Sequence, residues 1–96
     1  MRMLSSLLGS VPTGKAIQRS AAGTLKRLTL ELGGNDAAII MPGTDVDAIA
    51  PQLFEAAFGN SGQVCAAVKR LYVHADDHDA LVAAMKKEAA KTNTGR

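Results

Sequence analysis

At 96 residues, nearly half of them hydrophobic, the chain is a small folding unit rather than a disordered segment. Much of its apolar fraction is alanine, with no tryptophan, one tyrosine and two phenylalanines, so the core it can build is thin and hints at a piece of something larger. A net charge of +2 is too small to argue for nucleic acid, a single cysteine excludes an internal disulfide, and no run reaches the roughly 18 apolar residues of a membrane span; the expectation is a soluble, cytoplasmic protein.

Residues 3–8 predict a short strand that runs into Gly9-Ser10. Pro12 suits a first helical turn and Thr13 is a candidate cap, so residues 13–22 predict a short helix stopped by Gly23. From Arg27 to Leu32 the pattern alternates, with Leu28, Leu30 and Leu32 on one face and Thr29 and Glu31 on the other, which predicts a strand ending at a carboxylate. Gly33-Gly34-Asn35-Asp36 breaks it. The apolar run Ala37–Met41 predicts a buried strand, turned by Pro42-Gly43.

Asp45 is placed to cap a helix in which Val46, Ile49, Ala50, Leu53, Phe54, Ala57 and Phe58 recur at helical spacing. Pro51 interrupts its hydrogen bonding and Gly59 ends it. Arg70–His74 alternates as a third strand. Asp76 and Asp79 resemble a capping pair for a second amphipathic helix through Leu81, Val82, Met85 and Ala89, whose negative end Lys86, Lys87 and Lys91 would complement. Residues 92–96 are expected to fray. Strands alternating with helices give an α/β class with at least partly parallel pairing.

The lone cysteine, Cys65, sits in Phe58-Gly-Asn-Ser-Gly-Gln-Val-Cys65-Ala66, the composition of a loop open to a substrate. A nucleophile and a packed core thiol are both open readings there, since free cysteine is often buried. Lys69 and Arg70 are near enough along the chain to favour a thiolate, or are simply solvated. His74 and His78 look like surface residues, and the Asp77, His78, Asp79 group is too short for a metal site. Glu31 stands among leucines. A carboxylate with apolar neighbours has its ionised form destabilised, which suits a general base, and the alternative is a solvent-facing strand residue.

Gly9-Ser-Val-Pro-Thr-Gly14-Lys15 satisfies most of a phosphate-loop pattern, yet Ala16 stands where a hydroxyl would hold magnesium and Pro12 removes an amide. A glycine turn entering a helix still fits anion binding, and equally fits a plain strand-to-helix turn. The first 30 residues carry Arg2, Lys15, Arg19, Lys26 and Arg27 with no acid, as an organelle transit peptide would.

Taken together, Leu30-Glu31-Leu32-Gly33-Gly34-Asn35 and the Phe58–Ala66 stretch resemble the two signature segments of the NAD(P)-dependent aldehyde dehydrogenase superfamily. Glu31 and Cys65 stand 34 positions apart, the separation that family keeps. The resemblance covers residues 9–85 and makes a transit peptide untenable, because residues 9–30 align with the interior of a folded cofactor domain. It implies that Cys65 is the nucleophile and Glu31 the base that activates water. It also implies that Gly9, Ser10 and Gly14 lie near the cofactor pyrophosphate, with Leu32 and Gly33 near the nicotinamide. The expected fold is a partial aldehyde dehydrogenase fold. Residues 1–34 would close a Rossmann-like dinucleotide-binding domain, and residues 35–96 would open the catalytic domain.

The implied partners are an aldehyde substrate and NAD or NADP, with no metal, no nucleic acid and no membrane, and the parent enzyme is expected to be a homo-oligomer. Family members run several times longer than 96 residues. The oxyanion asparagine and the ribose-binding residues have no counterpart here, and Leu7 and Leu8 replace an aromatic and a threonine. The chain is therefore expected to be a fragment with little or no activity alone. Two other readings stand beside it: a non-catalytic interaction fragment docking on a full-length relative, and a thiol redox protein, which lacks a resolving cysteine.

Overall fold

The computed structural model describes residues 4–92. The chain divides into two compact units, Met1–Gly34 and Asn35–Arg96. Each is built on a strand, a helix and a second strand paired parallel to the first.

In the first unit, strand β1 (Leu4–Leu8) leads into helix α1 (Val11–Ala21), and strand β2 (Arg27–Glu31) returns parallel to β1 with Leu8 opposite Glu31. The helix starts two residues earlier than its sequence suggested. Its cap is Ser10, whose Oγ accepts the Thr13 amide at 3.4 Å, so Thr13 is an interior residue that bonds back to Ser10 Oγ at 3.0 Å. The Ser10 cap leaves Pro12 in the first turn, where its missing N–H costs nothing. The helix does not stop at Gly23. It tightens into a 3-10 turn over Ala22–Thr24, and Leu25 takes the left-handed conformation with φ 49°. Leu25 is 93% exposed, so its side chain recovers none of the roughly 1–2 kcal/mol that this backbone state costs.

The alternation in β2 emerges as expected, with Leu28 and Leu30 half-buried and Thr29 and Glu31 exposed. Gly14 is the buried residue of α1, because the helix lies close against the leucines of and just after β2. A Cβ at Gly14 would stand 2.8 Å from Leu32 Cδ2 and 2.9 Å from Leu32 Cδ1. Gly14→Val is therefore expected to lower stability by about 1–3 kcal/mol through overpacking. A urea unfolding midpoint equal to that of the parent chain would show that Leu32 swings clear instead.

In the second unit, strand β3 (Asp36–Ile40) pairs parallel with strand β4 (Val68–Val73), and helix α2 (Val46–Phe58) makes the crossover. Asp45 caps α2 as expected, its Oδ1 accepting the Ala48 amide at 3.1 Å. Pro51 lies inside the helix, and Gly59 closes it by donating its amide to Glu55 O. Helix α3 (His78–Lys91) packs on α2. No side-chain cap starts α3. A 3-10 turn over Ala75–Asp77 precedes it, and the expected cap Asp76 instead gives its amide to His74 Nδ1 at 3.3 Å. Only Lys91 of the three lysines sits in the last turn, while Lys87 bonds to Asp47 Oδ1 of α2 at 3.2 Å.

The buried apolar residues described are Ile40, Ala50, Ala67, Leu81 and Ala84. Three of the five are alanine, so the thin core predicted from composition is observed. The Ala37–Met41 run is not buried on both faces: Ile39 is 72% and Met41 65% exposed. Parallel sheets are ordinarily covered on both faces, and in this two-stranded sheet the side chains of Ile39 and Met41 meet solvent instead.

Candidate active site

Cys65 owes its position to a loop that turns the chain between α2 and β4. After α2 the backbone makes a tight turn over Gly59–Gly62 in which Asn60 (φ 52°), Ser61 (φ 58°) and Gly62 (φ 71°) are all left-handed. Asparagine tolerates this state and serine pays for it, so the loop carries backbone strain of about 1–2 kcal/mol at Ser61. Hydrogen bonds close it. Gln63 donates its amide to Asn60 O at 3.1 Å, and Asn60 Nδ2 donates to Gln63 O at 3.2 Å. A second turn follows, with the Ala67 amide donating to Val64 O at 3.0 Å, and Cys65 and Ala66 are its two central residues.

Ala67 is buried and pins the turn to the core, while the Cys65 thiol is free and exposed. Within this chain Cys65 is not packed as a core residue.

Glu31 is the last residue of β2. Its carbonyl accepts the Gly9 amide at 2.9 Å, and its Oε2 accepts the Gly33 amide at 3.0 Å. Gly33 reaches back because its φ is +77°, a conformation that favours glycine. The apolar neighbours inferred from sequence lie on the opposite face of the strand, and Glu31 is exposed. A carboxylate in this setting is held by one amide at one oxygen.

Gly9, Ser10 and Gly14 lie together where β1 passes into α1. The first turn of α1 carries no acid and presents the Ser10 hydroxyl at its exposed start, a donor set suited to a phosphate oxygen. Three details limit it. The Gly9 amide is already engaged by Glu31 O, Pro12 has no amide, and the Ser10 hydroxyl is bonded to the amide and hydroxyl of Thr13. Gly14 faces the leucines, so here it serves close helix–strand packing. Leu32 and Gly33 follow β2 directly, with Leu32 half-buried and Gly33 exposed.

His74 and His78 are exposed and engaged locally with Asp76 and Asp79. Among the described residues no group of three or more His, Cys, Asp or Glu side chains is placed to hold a metal ion. No helix described is long and apolar enough to cross a membrane.

Three hydrogen bonds of β4 side chains escaped sequence reasoning. Arg70 Nε donates to Asn35 O at 3.0 Å, and its Nη1 donates to Tyr72 Oη at 3.2 Å. Lys69 Nζ donates to Gly62 O, inside the cysteine loop. The signal available was the break in alternation at Lys69-Arg70, two polar residues in succession at the start of a strand.

Residues 2–96 match the sequence model of the aldehyde dehydrogenase family. A probable aldehyde dehydrogenase of a Pseudomonas species is 53% identical over 75 residues, which cover 78% of this chain and 15% of that protein. Among solved structures, an NADP-dependent glyceraldehyde-3-phosphate dehydrogenase of Bacillus halodurans, complexed with NADP, superimposes with a TM-score of 0.87 at 35% identity. That match covers 96% of this chain and 19% of the other. An aldehyde dehydrogenase of Mycobacterium tuberculosis, complexed with NAD+, superimposes with a TM-score of 0.84 at 34% identity over 92% of this chain and 18% of its own. The chain thus spans less than a fifth of the length of these relatives and shares the α/β fold of that part of them.

Proposed function

The chain belongs to the aldehyde dehydrogenase family, and from that premise we propose that it carries the two reacting side chains of an NAD(P)-dependent aldehyde oxidation, Cys65 as nucleophile and Glu31 as general base. The observation that carries the reading is the presentation of the chain's only thiol, free and exposed at the tip of a turn whose closing residue, Ala67, is anchored in the core.

In this reading the Cys65 sulfur, as thiolate, adds to the aldehyde carbonyl carbon and leaves a tetrahedral thiohemiacetal on the protein. Its backbone amide is the donor the chain itself offers to the developing oxyanion. For the two-electron oxidation of that adduct to a thioester the chain would rely on a bound oxidised nicotinamide as hydride acceptor. Ser10 and the first turn of α1 would hold the pyrophosphate, with Gly9 and Gly14 shaping that turn, and the backbone of Leu32 and Gly33 would lie by the nicotinamide. Glu31 then takes a proton from water as the water oxygen adds to the thioester carbonyl, and the carboxylic acid leaves as the sulfur departs. Sulfur serves both steps because thiolate is a good nucleophile and a good leaving group.

Residues 1–34 act as the end of a cofactor domain and residues 35–96 as the start of a catalytic domain in a cytoplasmic, homo-oligomeric enzyme. By itself the 96-residue chain is expected to reduce no NAD or NADP with a simple aldehyde, because it spans less than a fifth of the length of these relatives. A chimera in which residues 9–85 replace the aligned stretch of the Pseudomonas relative is expected to do so. A chimera that melts cooperatively yet makes no NADH or NADPH would overturn the assignment, and turnover by the isolated chain would refute the expected inactivity.

A second reading is favoured by the uncovered sheet face bearing Ile39 and Met41 and by an apolar cleft of about 450 Å³ among Phe54, Phe58, Leu71, Val82 and Met85. The chain would then be a non-catalytic piece that docks on a full-length relative. Migration of the isolated chain as a clean monomer in size-exclusion chromatography, with or without that relative, argues against it.

A further inference from the structure

Strand β4 does not run in simple register with β3. Asp36 pairs with Val68 and Ala37 with Arg70, so Lys69 is an extra residue with no partner on β3. A bulge of this kind bends the strand and re-aims a side chain. Lys69 and Arg70 are consequently both exposed, and the half-buried Val68 and Leu71, which strict alternation would send to opposite faces, are both turned inward. The re-aimed lysine meets a specific acceptor. Its Nζ donates to the carbonyl of Gly62, at the end of the left-handed run Asn60–Gly62.

Gly62 is itself held in a tight place. A Cβ there would stand 3.0 Å from Ala57 O and 3.6 Å from Lys69 Nζ, so the loop folds back onto the end of α2 beside the ammonium group. The last turn of α2 carries no basic residue of its own, and Lys69 brings a cation to that negative end from across the loop. Between Gly62 and Lys69 the chain makes a closed ring, and Cys65 lies near its middle. A loop with successive non-glycine residues in the left-handed region persists only where its surroundings over-determine it. The lysine bond is the tether that reaches this loop from β4.

We propose that Lys69, the bulged residue of β4, is a positioning residue for Cys65: its ammonium fixes the Gly62 carbonyl, which holds the strained turn and thereby the thiol-bearing turn after it. Its importance for catalysis rests on the nucleophile assignment, but the tether does not, and the test below reads the tether alone.

The experiment is amide hydrogen exchange on the 96-residue chain, read by NMR at Gln63 and Ala67, the two donors that close the turns on either side of Cys65. Lys69→Met is expected to speed exchange at both by roughly three- to tenfold, the scale of one net hydrogen bond. Leu81 and Ala84 of α3 should keep their parent rates, and Lys69→Arg, which retains a charged donor of similar reach, should restore most of the protection. If Lys69→Met abolishes the cooperative melt, Lys69→Gln is read at the same two amides, since its shorter side chain falls short of Gly62. Parent rates at Gln63 and Ala67 in the methionine or glutamine variant would overturn the proposal. So would acceleration spread evenly into α3, or an arginine variant no better than methionine. A chimera inactive for want of a nucleophile would leave the exchange result standing, so the two assignments fail separately.

Discussion

Replacing Cys65 with alanine in the chimera that carries residues 9–85 is expected to cut NADH or NADPH production by roughly ten-thousandfold or more, the scale seen when a covalent nucleophile is removed. Cys65 is the chain's only thiol and stands free and exposed, so no second thiol in the grafted stretch is available to form the adduct. The fold should be indifferent to the change, since an exposed turn position contributes little to packing and alanine already follows it at Ala66 and Ala67. Loss of turnover with an unchanged melting curve therefore separates chemistry from folding. Activity within a few-fold of the parent chimera would remove Cys65 from the mechanism.

Glu31→Gln should give a different pattern of loss. The amide keeps the size of the side chain and still offers an oxygen to the Gly33 amide, so the loop after β2 has no reason to move. It does not take a proton from water at neutral pH. Steady-state turnover is expected to fall by about a hundred- to ten-thousandfold, the usual contribution of general base catalysis. The first turnover should survive, because hydride loss from the Cys65 adduct precedes the step that needs the base. Rapid-mixing experiments should then show a burst of about one reduced cofactor per site, followed by a slow phase. A proportional fall of burst and steady state together would place Glu31 in the earlier step or in substrate binding.

The elements of this chain were largely legible in its sequence, because each is written locally. The Leu28, Leu30 alternation marks β2, and Asp45 followed by apolar residues at helical spacing marks α2 with its cap. What escaped reading depends on neighbours distant along the chain. The Ala37–Met41 run reads as a strand buried on both faces, yet burial needs a second covering layer, which leaves Ile39 and Met41 in solvent here. Strand β4 begins two residues before its predicted start because the bulge at Lys69 breaks the period by which strands are recognised. At the site, the Gly, Asn, Ser and Gln content around Cys65 marks an open loop, and the loop is found there. The Lys69 tether spans seven residues and works through a backbone carbonyl, which leaves no residue-type signature at Gly62.

Intact-protein mass spectrometry on the Glu31→Gln chimera, quenched in acid after one turnover with an aldehyde and NAD or NADP, tests the central assignment most directly. An added acyl group is expected on the protein, mapped by peptide analysis to Cys65 and removed by hydroxylamine as a thioester should be. Reduced cofactor formed with no acyl group at Cys65 would contradict it.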